Sequence, residues 1–239
     1  MICFLTSRVD LPGGDTLNPA NRFIDEIRRF FPVRGRGLYI CSDPDGWEKM
    51  DFYAGLTRAY FENSGFPFDR FLTLDSRNES LAEELIRESN VLILSGGHVP
   101  TQNRFFRKIG LRALLRGYSG LLFGISAGSM NSADIVYAQP ELEGEAVDPA
   151  YERFLPGLGL TKTMLLPHYQ EVKDNELDGM RLFEDITFSD SHGQTFYAIP
   201  DGSYLLLGPG GEVLRGEAYR IRDRRMEQIA AEGDSVPLK

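Results

Sequence analysis

Residues 121–131 read Leu121-Leu122-Phe123-Gly124-Ile125-Ser126-Ala127-Gly128-Ser129-Met130-Asn131, and this stretch decides the fold. An apolar run of strand length ends in Gly-x-Ser-x-Gly, and small residues suited to opening a helix follow. A serine on so sharp a strand-to-helix turn needs flanking glycines, because the backbone there is crowded and strained. The helix start leaves N–H groups free to hold a developing negative charge. The stretch predicts a nucleophile elbow with Ser126 at its tip. Gly-rich turns after strands are common, so the rest of the chain must supply the partners.

Toward the N-terminus the pattern repeats. Strands are predicted at 2–6, 38–41, 68–74 and 91–94. Helices are predicted from Asn18-Pro19 through Phe30, over 47–63, from Asn78 or Ser80 through Ile86, and over 101–116. Strand and helix thus alternate five times, which implies parallel strands, right-handed crossovers and helices on both faces of one sheet. Ligands of such sheets bind outside the C-terminal strand ends. Ser95-Gly96-Gly97-His98, after the fourth strand, and Ser126, after the fifth, both fall at that edge.

Downstream the signal is weaker. Residues 138–157 are acidic and contain prolines, and read as a loop over the same edge. Thr163 to Leu166 reads as a strand leading into Pro167-His168-Tyr169. Residues 175–183 look helical. Strands at 195–199, 204–207 and 213–219 form a predicted C-terminal β-meander. The tail from about residue 224 is polar and expected to fray. With no repeat or linker, residues 1–239 read as one domain.

Composition narrows the function. A net charge of -9 argues against nucleic acid or an anionic membrane as partner. Cys3 and Cys41 are the only cysteines, both in strand-like runs without metal-ligand spacing. They read as buried thiols in a reducing compartment. The short, uncharged start does not resemble a signal peptide, and no run has transmembrane length, so a cytoplasmic setting is expected.

A serine nucleophile needs a base, and the base an orienting acid. Of three histidines, His168 directly follows a predicted strand and is the expected base. His98 reads as a residue shaping the pocket rim, and His192 as part of a solvated turn. Candidates for the acid are Asp134, Glu141, Glu143, Glu145 and Asp148, among which spacing does not choose. Ala127 and Gly97 are the natural N–H donors of an oxyanion hole, with Gly96 and His98 beside the substrate. Arg104, Arg107 and Lys108 read as a solvated helix face. No metal or cofactor is called for.

The Gly-Gly loop after the fourth strand, Gly-Ile-Ser-Ala-Gly after the fifth, and Leu-Pro-His-Tyr downstream, in that order, resemble the dipeptidase E and cyanophycinase family of serine peptidases, peptidase family S51. The closing Ala198-Ile199-Pro200-Asp201-Gly202-Ser203 is similar to the family's Leu-Pro-Glu-Gly segment. The resemblance runs nearly end to end. It implies a three-layer, doubly wound, mostly parallel α/β fold of the class I glutamine amidotransferase-like, flavodoxin-like kind. It implies Ser126 as nucleophile, His168 as base, and oxyanion donors at Gly97 and Ala127. The dipeptidase's third member lies fifteen residues after the serine, a count that lands on Glu141. His98 replaces an asparagine and the Ser-to-His interval is longer, departures around the pocket that leave a preference for N-terminal aspartate open. A serine peptidase acting on a small peptide is the leading expectation, and a homodimer is compatible with the sequence. The alternatives are an α/β-hydrolase esterase, disfavoured by the short interval from Ser126 to His168, and a non-catalytic regulatory member of the fold. A glutamine amidotransferase subunit would need a cysteine at position 126.

Overall fold

Apolar runs build the central sheet, because both of its faces are covered. The computed structural model describes residues 1–238. Strands β1 (Ile2–Thr6), β2 (Gly35–Ile40), β3 (Phe68–Leu74), β4 (Val91–Leu94) and β5 (Leu121–Ile125) alternate with helices α1 (Phe23–Arg28), α2 (Trp47–Asn63), α3 (Ala82–Glu88), α4 (Val99–Lys108) and α5 (Leu111–Leu114). The five strands lie in the order β3-β2-β4-β5-β1 and pair in parallel throughout. Successive side chains alternate between two cores. Phe4, Tyr39, Ile93 and Phe123 pack with Phe23 and Ile27 of α1 and Ala54 and Phe61 of α2. Leu5, Leu38, Leu92 and Leu122 pack with Ala82 and Ile86 of α3 and Phe105 and Phe106 of α4. The aromatic side is dense: Phe123 stacks on Phe4 at 5.3 Å and meets the Phe61 ring edge at 4.9 Å.

After β5 come α6 (Ala127–Asn131), β6 (Ile135–Tyr137), β7 (Phe154–Pro156), β8 (Met164–Leu166), α7 (Tyr169–Val172), β9 (Glu176–Leu177) and β10 (Met180–Arg181). A π-helical turn over Leu182–Thr187 and α8 (Phe188–Asp190) lead into β11 (Thr195–Ala198), β12 (Tyr204–Gly208), β13 (Gly211–Arg215), β14 (Ala218–Arg222), β15 (Arg225–Ala230) and β16 (Ser235–Leu238). Strands β12, β13 and β16 extend the main sheet beyond β1 in antiparallel fashion, giving eight strands. A second sheet has the order β15-β14-β11-β8, in which β8 and β11 run parallel. It packs over α6 through Met164, Leu166, Phe196 and Ile221.

Five sequence expectations are corrected. The first helix starts at Phe23, after a single turn at Ala20–Arg22 in which Asn21 is left-handed. The helix expected over 101–116 runs from Val99 to Lys108 and breaks at Ile109-Gly110. Where a helix is expected over 175–183, residues 176–181 form a hairpin: Asp178 and Gly179 have φ of 53° and 78°, the pair of positive values a tight type I′ turn requires. The Asp178 carboxylate also accepts from the N–H groups of Gly144 and Ala146, so that turn is tied to the acidic loop. The C-terminal meander is split over two sheets, because β11 pairs with β8 while β12 pairs with β1. The polar tail does not fray; it forms the edge strands β15 and β16. Cys3 and Cys41 are free and buried, and no helix of the described residues is long and apolar enough to cross a membrane.

Candidate active site

The main sheet aligns its C-terminal strand ends, and register does much of the positioning. Thr6 of β1 pairs with Ile125 of β5, so Ser7 and Ser126 follow side by side. The Ser126 N–H donates to the carbonyls of both Thr6 and Ser7. Ser126 has φ 48° and ψ -111°, a conformation that costs a non-glycine residue about 1–3 kcal/mol. Close packing holds it there. A Cβ at Gly124 would lie 2.9 Å from the Ser129 nitrogen, and one at Gly128 would lie 2.7 Å from Leu94 Cβ. The two glycines let α6 dock directly against β4 and β5, and Gly128 N–H bonds the Ser95 carbonyl.

The Gly96-Gly97 loop borders the same place. Gly97 has φ 145°, and a Cβ there would fall 2.7 Å from Ser42 Cβ and nearer still to Ser42 Oγ. Ser42 Oγ donates to the Gly96 carbonyl at 2.7 Å and so fixes the loop. Neither Gly97 N–H nor Ala127 N–H has a hydrogen-bond partner among the described residues. Beneath them Gln102, Asn131 and Asn103, all buried, bond one another and the carbonyls of Ser95, Val99 and Pro156. Gly97→Ala is expected to lower stability by at least about 1 kcal/mol, from backbone strain and overlap with Ser42. For a chain of this size that is roughly 2–4 °C in thermal midpoint; an unchanged midpoint would contradict the packing described.

His168 follows β8 and itself has φ 58°. Its partner is an acid that the loop count did not point to. Parallel pairing of β8 with β11 sets Leu166 opposite Ala198, and each strand continues through a proline, to His168 in one case and Asp201 in the other. His168 Nδ1 and Asp201 Oδ1 are 2.9 Å apart. Ser7, fully buried, donates from Oγ to the same Asp201 oxygen at 2.6 Å and accepts from the His168 backbone N–H at 2.8 Å. Burial pushes the Asp201 carboxyl up, but the bonds from His168 and Ser7 and the charges of His168 and Arg8 outweigh it and hold it below the usual carboxylate range. His168 Nε2 has no partner among the described residues. Glu171 stands close enough for the three residues to converge on a cation, although Nδ1 and Asp201 Oδ1 are already bonded to each other.

A cavity of about 180 Å³ is lined by Ser126, His168, Gly97, Glu141, Glu176 and Leu177 among others. Glu141 is thus brought to the site, but its carboxylate bonds nothing among the described residues, and only its backbone N–H is engaged, by Glu145. Although Glu141 is exposed overall, burial in the cleft wall, with help from Glu145, pushes its carboxyl up against the opposing charges of His98 and His168. His98 lies on the far side of the Gly-Gly loop, with Gly96, in a second cavity of about 600 Å³. Its ring bridges Thr101 Oγ1 and Glu145 Oε1, both at 2.8 Å, and so pins the acidic loop over the cleft. Asp134 pairs with Arg112, whereas Glu143 and Asp148 are exposed. His192 is exposed, and Arg104, Arg107 and Lys108 lie on an exposed helix face, as the sequence suggests.

The model of peptidase family S51 matches residues 16–212, and the chain belongs to that family. It is therefore a serine peptidase, a hydrolase. The fold is shared with a peptidase from an acI-B1 Actinobacterium, at 17% identity and a TM-score of 0.64, with 99% of this chain and 96% of that one covered. It is shared too with a putative peptidase E protein from Listeria monocytogenes EGD-e, at 17% identity and a TM-score of 0.55, over 100% and 98% of the two chains. No curated relative matches. Membership sets aside the α/β-hydrolase esterase reading.

Proposed function

We propose that the chain hydrolyses short peptides through an acyl-enzyme, with Ser126 as nucleophile, His168 as base and Asp201 as orienting acid. The observation that carries this reading is the His168 Nδ1–Asp201 bond at 2.9 Å, made by a histidine whose other nitrogen is unbonded and which shares its cavity with Ser126. An acid on Nδ1 fixes the tautomer that leaves Nε2 ready to accept a proton. Ser126 Oγ attacks the carbonyl carbon as its proton passes to Nε2. The oxyanion is held by the N–H groups of Gly97 and Ala127, at the start of α6. The C–N bond then breaks, and His168 gives its proton to the departing amine. Water, deprotonated by the same nitrogen, releases the acid and restores Ser126.

Glu141, the acid that the loop count favours, is assigned instead to the wall that receives substrate. The strand order β3-β2-β4-β5-β1 with helices on both faces accords with the doubly wound amidotransferase-like layout, and Ser126 with its nucleophile elbow. The free, buried thiols suit a reducing, cytoplasmic setting. A short substrate is inferred from size. The cleft is smaller than the roughly 300–1,000 Å³ of a drug-sized ligand site. The acidic loop, tied at His98 and Asp178, walls it in. Dipeptides are expected to be cleaved with kcat/KM at least about 100-fold above hexapeptides of the same leading residues, the order of discrimination a closed pocket gives. Equal cleavage of the two would reject the dipeptidase reading, and equal turnover of Asp-X and Leu-X dipeptides would reject an aspartyl preference.

A further inference from the structure

We propose that Ser7 is a positioning residue of the hydrolytic site, a fourth member that tunes the His168–Asp201 pair. The inference rests on the reading of Ser126 and His168 as nucleophile and base. Three contacts converge on one buried hydroxyl. Ser7 Oγ donates to Asp201 Oδ1 at 2.6 Å, accepts from the His168 N–H at 2.8 Å, and lies 3.4 Å from His168 Nδ1. The first contact shares the charge of the very oxygen that holds Nδ1. The second holds the backbone of His168, whose φ of 58° needs support from its surroundings. The Ser7 carbonyl also accepts from the Ser126 N–H, so one residue at the end of β1 touches nucleophile, base and acid. A purely structural buried serine would satisfy its hydroxyl on a nearby backbone carbonyl, as Ser129 Oγ of α6 does on Thr6 and Ser132 Oγ, at the end of that helix, does on Gly128. Ser7 spends its proton on a carboxylate.

The electrostatic consequence has a definite sign. Without the Ser7 donor, Asp201 Oδ1 carries more unshared charge and holds the imidazolium more strongly. The acid limb of Ser126 reactivity then moves upward.

The test is the rate of Ser126 labelling by a fluorophosphonate, followed from pH 5 to 9 in wild type, Ser7→Ala and Ser7→Cys, each with its thermal midpoint measured. Cysteine refills the space with a weak donor, so it separates packing from hydrogen bonding. Both variants are expected to label about tenfold more slowly on the plateau, as loss of a hydrogen bond to a charged group implies. In both, the midpoint of the acid limb should rise. A folded Ser7→Ala protein with the wild-type acid-limb midpoint would overturn the assignment, and so would a wild-type profile in Ser7→Cys. If wild-type protein takes no label at Ser126, the nucleophile reading itself fails, and the Ser7 role falls with it. Normal labelling of wild type with an unshifted Ser7→Ala profile removes the Ser7 role alone.

Discussion

Ser126→Ala is expected to lower kcat for peptide hydrolysis by about 10⁶-fold, the scale of losing the nucleophile of a serine triad. It should do so without unfolding the protein. Alanine keeps a Cβ in the same strained backbone, so the thermal midpoint should stay near that of wild type. Ser126→Gly should lose the activity equally and yet gain stability. Glycine adopts φ 48°, ψ -111° with little penalty, and relief of strain is worth about 1–3 kcal/mol, less the extra chain entropy of glycine. Opposite movement of activity and stability at one residue is the signature of strain held for function. A Ser126→Gly protein less stable than Ser126→Ala would mean that the turn carries no such strain. Hydrolysis retained in both variants would assign the nucleophile elsewhere.

Asp201→Asn should lower kcat by about 10³–10⁴-fold, whereas Glu141→Gln should change it less than about tenfold. An asparagine can turn its amide toward Nδ1, which places the imidazole proton on Nε2 and blocks the base. The geometry survives while the tautomer is wrong. Glu141 has no bond to His168 to lose, so its replacement should act through substrate affinity, as a change in KM. The reverse outcome, collapse in Glu141→Gln and mild loss in Asp201→Asn, would return the orienting role to Glu141. Acid unfolding gives a second check. Because the folded Asp201 carboxyl sits below its ordinary value of 3.8, the stability it contributes is present above about pH 4. That stability is lost as pH falls through the lower folded value. Asp201→Asn should be less stable at neutral pH, and the gap to wild type should shrink below pH 4.

The central strands β1, β4 and β5 are legible in the sequence because burial on both faces writes them as near-continuous apolar runs, Val91–Leu94 and Leu121–Ile125 above all. Helix α2 begins and ends where its sequence says, at Trp47 and Asn63. Residues 175–183 mislead because Leu177, Met180 and Phe183 recur every third residue, as on a helix, while Asp178-Gly179 dictates a reversal that tertiary bonds to the acidic loop secure. The tail misleads because polar side chains face solvent from edge strands whose order comes from backbone pairing.

The sequence brings Ser126, His168 and Gly97 to one cavity, each through the end of its strand. Asp201 stands out in the sequence only within the closing Ala198–Ser203 segment that resembles the family's Leu-Pro-Glu-Gly. Its bond to His168 depends on which strand pairs with β8, a long-range fact that local pattern does not carry. The matching ends Leu166-Pro167-His168 and Ile199-Pro200-Asp201 were the available signal. Ser7 left no signal beyond its place one residue past β1, opposite Ser126.

The most direct test of this account is to map a fluorophosphonate adduct on folded wild-type protein by intact mass and peptide sequencing. A single adduct on Ser126, absent from Ser126→Ala and formed far more slowly in Asp201→Asn than in Glu141→Gln, is the result expected. An adduct on another residue, or peptide hydrolysis by a protein whose Ser126 takes no label, would contradict it.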